Sequence, residues 1–135
     1  MTRKAKIGLI VCLTLVVLLF FLRCLALVVS NGTYGNNAFI NIFKVRCVFL
    51  SATADDFHQA QIEVTDTPRE LSAAELTRFL SRKDQSVHPD DPWGGALQVT
   101  VRKRASGSGG FCSGRVTTSV GQNLWGRDIR YTEEF

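Results

Sequence analysis

From Ile7 to Val29 almost every residue is apolar, and no acidic residue occurs before Asp55. That run constrains the chain more than any other feature. As a helix it is roughly 34 Å long, enough for a hydrocarbon core of about 30 Å. Its Leu, Ile, Val and Phe side chains each favour insertion by roughly 0.3–0.6 kcal/mol, whereas Arg23 opposes it by at most about 3 kcal/mol and can snorkel from an off-centre position. The run therefore predicts a membrane anchor. Arg3, Lys4 and Lys6 precede it, which by the positive-inside rule keeps the N-terminus cytoplasmic and places the C-terminal part of the chain on the far side. A cleaved signal peptide is the alternative, with Val28-Val29-Ser30 as the cleavage region. The expected organisation is a basic head and anchor over 1–30, a hinge over 31–37 and an outer domain over 38–135.

Charge narrows the function of that domain. Arg3, Lys4, Lys6 and Arg23 take four of the sixteen Lys and Arg, and the other twelve face twelve Asp and Glu. The domain is neutral, so the basic balance of the whole chain does not point to nucleic acid. Cys12 and Cys24 fall in the anchor, where cysteine acts as a small apolar residue. Cys47 and Cys112 fall in the outer domain, where a disulfide between them and two unpaired thiols are both open readings.

Residues 31–37, Asn-Gly-Thr-Tyr-Gly-Asn-Asn, read as helix breakers and hence as the hinge. Asn31-Gly32-Thr33 also matches a glycosylation sequon, a pattern too short and too near the membrane to weigh much. From Ala38 to about Val64 the spacing of Phe39, Ile42, Phe43, Leu50, Phe57 and Val64 predicts a second helix, apolar on nearly all sides as far as Leu50. A strand over Val45 to Leu50 is the alternative. Thr65 to Pro68 ends this element. Ser72 and Glu75 then form a capping box and Leu71 with Leu76 a staple, opening a short helix with Leu76, Phe79 and Leu80 on one face. Leu97, Val99 and Val101 alternate with polar residues, and Phe111 to Val120 can return antiparallel across a flexible tip at Ala105 to Gly110. Asp128 to Thr132 suggests a third strand.

Asp91-Pro92-Trp93-Gly94 is the most distinctive local signal. Asp, Pro and Gly hold the favoured first, second and fourth positions of a type I turn. Trp93, framed by Pro92 and Gly94, is expected to be a core residue, and Trp125, in a polar loop, to be more exposed.

The order of these features resembles the major pseudopilin of type II secretion systems and related pilin-like proteins. The likeness rests on Asp91-Pro92-Trp93-Gly94, on Ser119-Val120-Gly121, which in the family pattern is a turn opening a glycine-rich loop, and on Gly126-Arg127-Asp128-Ile129, and it is closest over residues 66–131. It implies an α+β fold: an N-terminal transmembrane helix, then a helix packed on a small antiparallel sheet. It also implies a non-enzymatic subunit of a bacterial export apparatus, anchored in the inner membrane with its domain in the periplasm, whose partners are other pilin-like or secretion-apparatus subunits. Leader cleavage would follow Gly8. The chain differs from the family at three places. Leu13 stands where the mature chain has a glutamate, residues 31–37 break the helix, and the loop that binds calcium in the family has Asn123 in place of Asp. Asp128 is its one remaining carboxylate, whereas calcium takes six to eight oxygens, so Asp128 is a weak candidate ligand and no cofactor is expected. An anchored outer-face binding module that keeps the fold without forming filaments is the alternative function.

Little else in the sequence suggests chemistry. His58 lies one helical turn from Asp55 and reads as a solvated histidine. Gly107 to Gly110 lacks the strand-to-helix context of a phosphate cradle, and Arg102-Lys103-Arg104 reads as a solvated strand end, with an acidic partner as the less favoured reading. No enzyme is expected.

Overall fold

The computed structural model describes residues 2–90, 95–107 and 109–135. The Asp91-Pro92-Trp93-Gly94 turn, Trp93 included, lies outside the described residues.

One helix, α1, runs from Arg3 to Leu50 without interruption, about 72 Å in length. Thr2 caps its start, its hydroxyl accepting from Ala5 N at 3.4 Å. The expected hinge over 31–37 is thus corrected, as is the strand alternative at Val45 to Leu50: both segments are helical. The second helix expected from Ala38 to Val64 is also revised. Residues 38–50 continue α1, the chain turns at Ser51, and a separate six-residue helix α2 (Ala54–Gln59) follows, with Thr53 and Asp56 as its capping box.

The reason the breakers do not break lies in what they touch. At intervals of three and four residues, Cys24, Leu27, Asn31, Gly35, Ala38, Ile42, Val45 and Phe49 form one half-buried to buried stripe. This is the spacing of a helix seam, and it crosses the polar stretch without a change of phase. Gly35 faces β3 (Cys112–Gln122) so closely that a Cβ there would lie 2.7 Å from Val120 O. The Asn31 side chain closes the end of β3: its Nδ2 donates to Gln122 O and its Oδ1 accepts from Gln122 N, both at 2.9 Å. Both polar ends of the amide are engaged, so the sequon asparagine is a structural clamp. Tertiary contact thus outweighs the roughly 1 kcal/mol that each glycine costs a helix.

The sheet has four antiparallel strands in the order β1 (Arg69–Glu70), β2 (Gln98–Lys103), β3 and β4 (Asp128–Glu134). β2 and β3 form the expected hairpin, in register from Gln98 opposite Thr117 to Lys103 opposite Cys112. Val99, Val101 and Val116 point into the core, as the alternation predicts. β4 pairs along β3 with a bulge between Ser119 and Gly121. The two-residue strand β1 covers part of the outer edge of β2.

Between helix and sheet lies a phenylalanine cluster. Phe49 stacks on Phe79 at 4.8 Å and on Phe135 at 5.0 Å, and Phe57 stacks on Phe79 at 4.7 Å. The short helix α3 (Ala73–Lys83) supplies Phe79 together with the buried Leu76 and Leu80. Its start is as expected: Glu75 N donates to Ser72 Oγ, and Ser72 N donates to Glu75 Oε2 at 2.8 Å. Arg69, on β1, adds two parallel hydrogen bonds to the Glu75 carboxylate, each 3.1 Å. These bonds, Arg69 first and the Ser72 amide second, hold the Glu75 carboxyl at about 2 against an ordinary 4.5. The stabilisation is complete above pH 4.5 and is lost as the pH falls from there through about 2. We expect Glu75→Gln to cost roughly 1–2 kcal/mol at neutral pH, a value kept modest by solvent around the half-exposed Arg69. Urea unfolding across this acid range should show a correspondingly flatter pH dependence in the variant.

The cysteines are free. Cys112 is buried, its Sγ donating to Phe49 O at 3.6 Å, and burial pushes its thiol up to about 11. Cys47 sits on the solvent side of α1. The disulfide reading of this pair is therefore corrected.

Candidate functional site

α1 shows its sheet one face and leaves the opposite face bare. On that outer side Leu22, Leu25, Val29, Ile40, Phe43, Cys47 and Leu50 are all exposed, with Thr33 and Asn36 continuing the three-and-four spacing between them. The part of the run up to Val29 belongs to the apolar segment. The part above it does not: Ile40 is 57% exposed and Phe43 59%, level with the sheet and uncovered among the described residues. The segment from Ala38 to Leu50 is apolar on nearly all sides in composition, yet only the sheet-facing half is buried. Full cover of each such side chain is worth roughly 1.5–3 kcal/mol, and contiguous exposed apolar residues of this kind mark contact surfaces. No charged residue interrupts the outer face between Ile40 and Leu50, because Lys44 and Arg46 point to its flanks. Lys44 reaches Ser86 Oγ at 3.5 Å, and Arg46 Nε donates to Glu134 O at 2.7 Å.

A cleft of about 510 Å³ opens beside this face, between α1 and residues 86–90. Asn41 pins the wall: its Nδ2 donates to His88 O at 2.8 Å and its Oδ1 accepts from His88 N at 3.0 Å. Lys44, His88 and Asp90 are the ionisable groups that line it.

The residues singled out in the sequence fall in separate places. Gly8 lies near the start of α1 with open space around it. Ser119 and Gly121 sit at the β3 bulge, the Ser119 hydroxyl donating to Gly121 O at 3.3 Å. They lie inside a strand and do not form the turn that the pseudopilin pattern implies. Gly126 adopts a φ of +75° in the loop of residues 123–127. Asn123 organises that loop, its Oδ1 accepting from Trp125 N and Arg127 N, both at 3.0 Å. Asp128 opens β4 and accepts from Gln122 Nε2 at 3.2 Å. His58 and Asp55 share α2. Among the described residues, no three His, Cys, Asp or Glu side chains gather as a metal-binding group.

Two site features escape sequence reasoning. One is the Asn31 clamp; the other is the outer stripe, whose spacing is visible once residues 31–37 are read as helix. No family model matches this chain, and neither does any curated protein or solved structure with which it was compared. The architecture itself, a long apolar helix leading into helices on a small open antiparallel sheet, is pilin-like.

Proposed function

We infer that this chain is a membrane-anchored, non-enzymatic assembly or accessory subunit of a bacterial secretion or pilus-type apparatus. In this reading the N-terminus is cytoplasmic and the sheet domain periplasmic. The observation that carries it is the outer stripe of α1. Its upper part presents Ile40, Phe43 and Leu50 to solvent, in line with the apolar anchor below. A second helix of the same kind, packed in parallel, covers it by the same three-and-four seam that α1 uses toward its own sheet. The occupant is thus a second copy of the chain.

The test uses Cys47, which lies on this face. In a chain carrying Cys12→Ala and Cys24→Ala, a benzophenone maleimide on Cys47 should yield on photolysis an adduct of twice the chain's mass in membranes. Ile40→Asp or Phe43→Asp should remove most of that adduct without unfolding the domain, since both side chains are exposed. An unchanged adduct in both variants, or none in the parent, contradicts the assembly reading.

A second reading, an anchored binding module that does not polymerise, is favoured by two observations. Leu13 stands where the pilin-like family has an acid, and the Asn41–His88 cleft offers polar groups on the domain's flank. A monomeric product in the same experiment supports it.

A further inference from the structure

We propose that the loop of residues 123–127 rests in the headgroup layer of the membrane that α1 crosses, with Trp125 and Leu124 as its contacts. The proposal rests on the reading of α1 as a membrane anchor and adds where the bilayer surface lies on the molecule.

The domain reaches further down α1 than the sequence suggests. Leu27, within the apolar run, is only 7% exposed. One turn lower, a Cβ on Gly126 would lie 3.8 Å from Arg23 Nη2. The loop therefore stands beside Arg23, and the helix that remains wholly uncovered is Ile7 to Leu22, about 24 Å long. Lys6 and Arg23 bracket that segment with charge. Its length falls somewhat short of a hydrocarbon core of about 30 Å, a mismatch met by local thinning and by flanking residues at the interface. Arg23 then marks the outer boundary, and the loop beside it lies at headgroup depth.

The composition of the loop suits that depth. Trp125 is 87% exposed and Leu124 48%, the former an extreme for a side chain of its size. Trp is enriched at the membrane–water interface, and Arg127 with Arg23 supplies guanidinium groups for lipid phosphates. The loop is also stiff. Besides the two bonds to Asn123 Oδ1, Asn123 N donates to Arg127 O at 2.9 Å and Gly126 N to Asn123 O at 3.0 Å. Asn31 ties its base to α1 through Gln122. A preset loop presents its tryptophan at little entropic cost.

The experiment uses the full chain with Trp93→Phe, which leaves Trp125 as the sole tryptophan, in vesicles of phosphatidylethanolamine and phosphatidylglycerol. Should Trp93→Phe fail to fold, the difference between the parent and Trp125→Phe reports the same signal. We expect Trp125 emission to be blue-shifted and aqueous iodide quenching to be several-fold weaker than for free N-acetyltryptophanamide. Lipids brominated high on the acyl chain should quench it more than lipids brominated near the chain end. Flotation of the same vesicles separates the two claims. Protein that floats while Trp125 stays iodide-accessible and untouched by brominated lipid overturns the loop proposal and leaves the anchor standing. Protein that does not float overturns both. Shielding from iodide without quenching by any brominated lipid assigns the loop to a protein neighbour and also overturns the proposal.

Discussion

Phe49→Ala should remove about 3–5 kcal/mol of stability from the sheet domain, whereas Phe43→Ala, less than two turns away on the same helix, should remove less than about 0.5 kcal/mol. Phe49 is 1% exposed and stacks on both Phe79 and Phe135, so truncation leaves a cavity that three elements share. Phe43 is 59% exposed and makes no comparable contact among the described residues. For a small domain held by roughly 5–15 kcal/mol, the first change approaches full unfolding. Urea denaturation of the full chain in mild detergent, followed by its sheet signal, gives both values. Equal losses would mean that the buried face of α1 has been misassigned.

The second large effect separates two glycines that look alike in sequence. A side chain on Gly32 meets nothing within 4 Å, while one on Gly35 meets the Val120 carbonyl, which belongs to a paired strand and cannot swing aside. Gly32→Leu should therefore stabilise α1 by up to about 1 kcal/mol through helix propensity alone. Gly35→Leu gains the same propensity but must lift β3 from the helix. Overpacking of this kind costs about 1–3 kcal/mol and is at its upper end against backbone, so the net result should be a loss of up to about 2 kcal/mol. Thermal unfolding of the two variants under one set of conditions checks the opposite signs. A gain at both positions would place β3 away from Gly35.

These two glycines also show how far the sequence can be read. The long apolar N-terminal helix, the Ser72–Glu75 capping box and the β2–β3 hairpin are legible because each is a local pattern: a hydropathy run, a spacing of three, an alternation of two. The polar neighbours of Trp125 predict an exposed side chain, and it is exposed. The segment from Asn31 to Asn37 reads as a hinge because propensity takes no account of a partner. Asn31 and Gly35 are poor helix residues in isolation, yet they are the residues a strand can approach and bond to. Only their phase, Asn31 four residues from Leu27 and Gly35 three from Ala38, signals this. The aromatic core is half visible: Phe57 and Phe79 lie on apolar helix faces, but nothing local indicates that Phe49 and Phe135, far apart in the chain, share a stack with them. The outer stripe is hidden for the same reason as the clamp, since a hinge at 31–37 would divide it in two.

The apolar N-terminal segment and the sheet domain are joined by one unbroken helix, clamped to the sheet by Asn31 and Gly35. Both the proposed assembly face and the proposed depth of the 123–127 loop depend on that continuity. Hydrogen exchange on the full chain in lipid nanodiscs measures it directly, through the backbone amides of residues 31–37. Protection there comparable to that of residues 42–49 is the predicted result. Exchange at the rate of an unstructured segment, with protection resuming only beyond Ala38, would show a hinge and contradict the continuous helix.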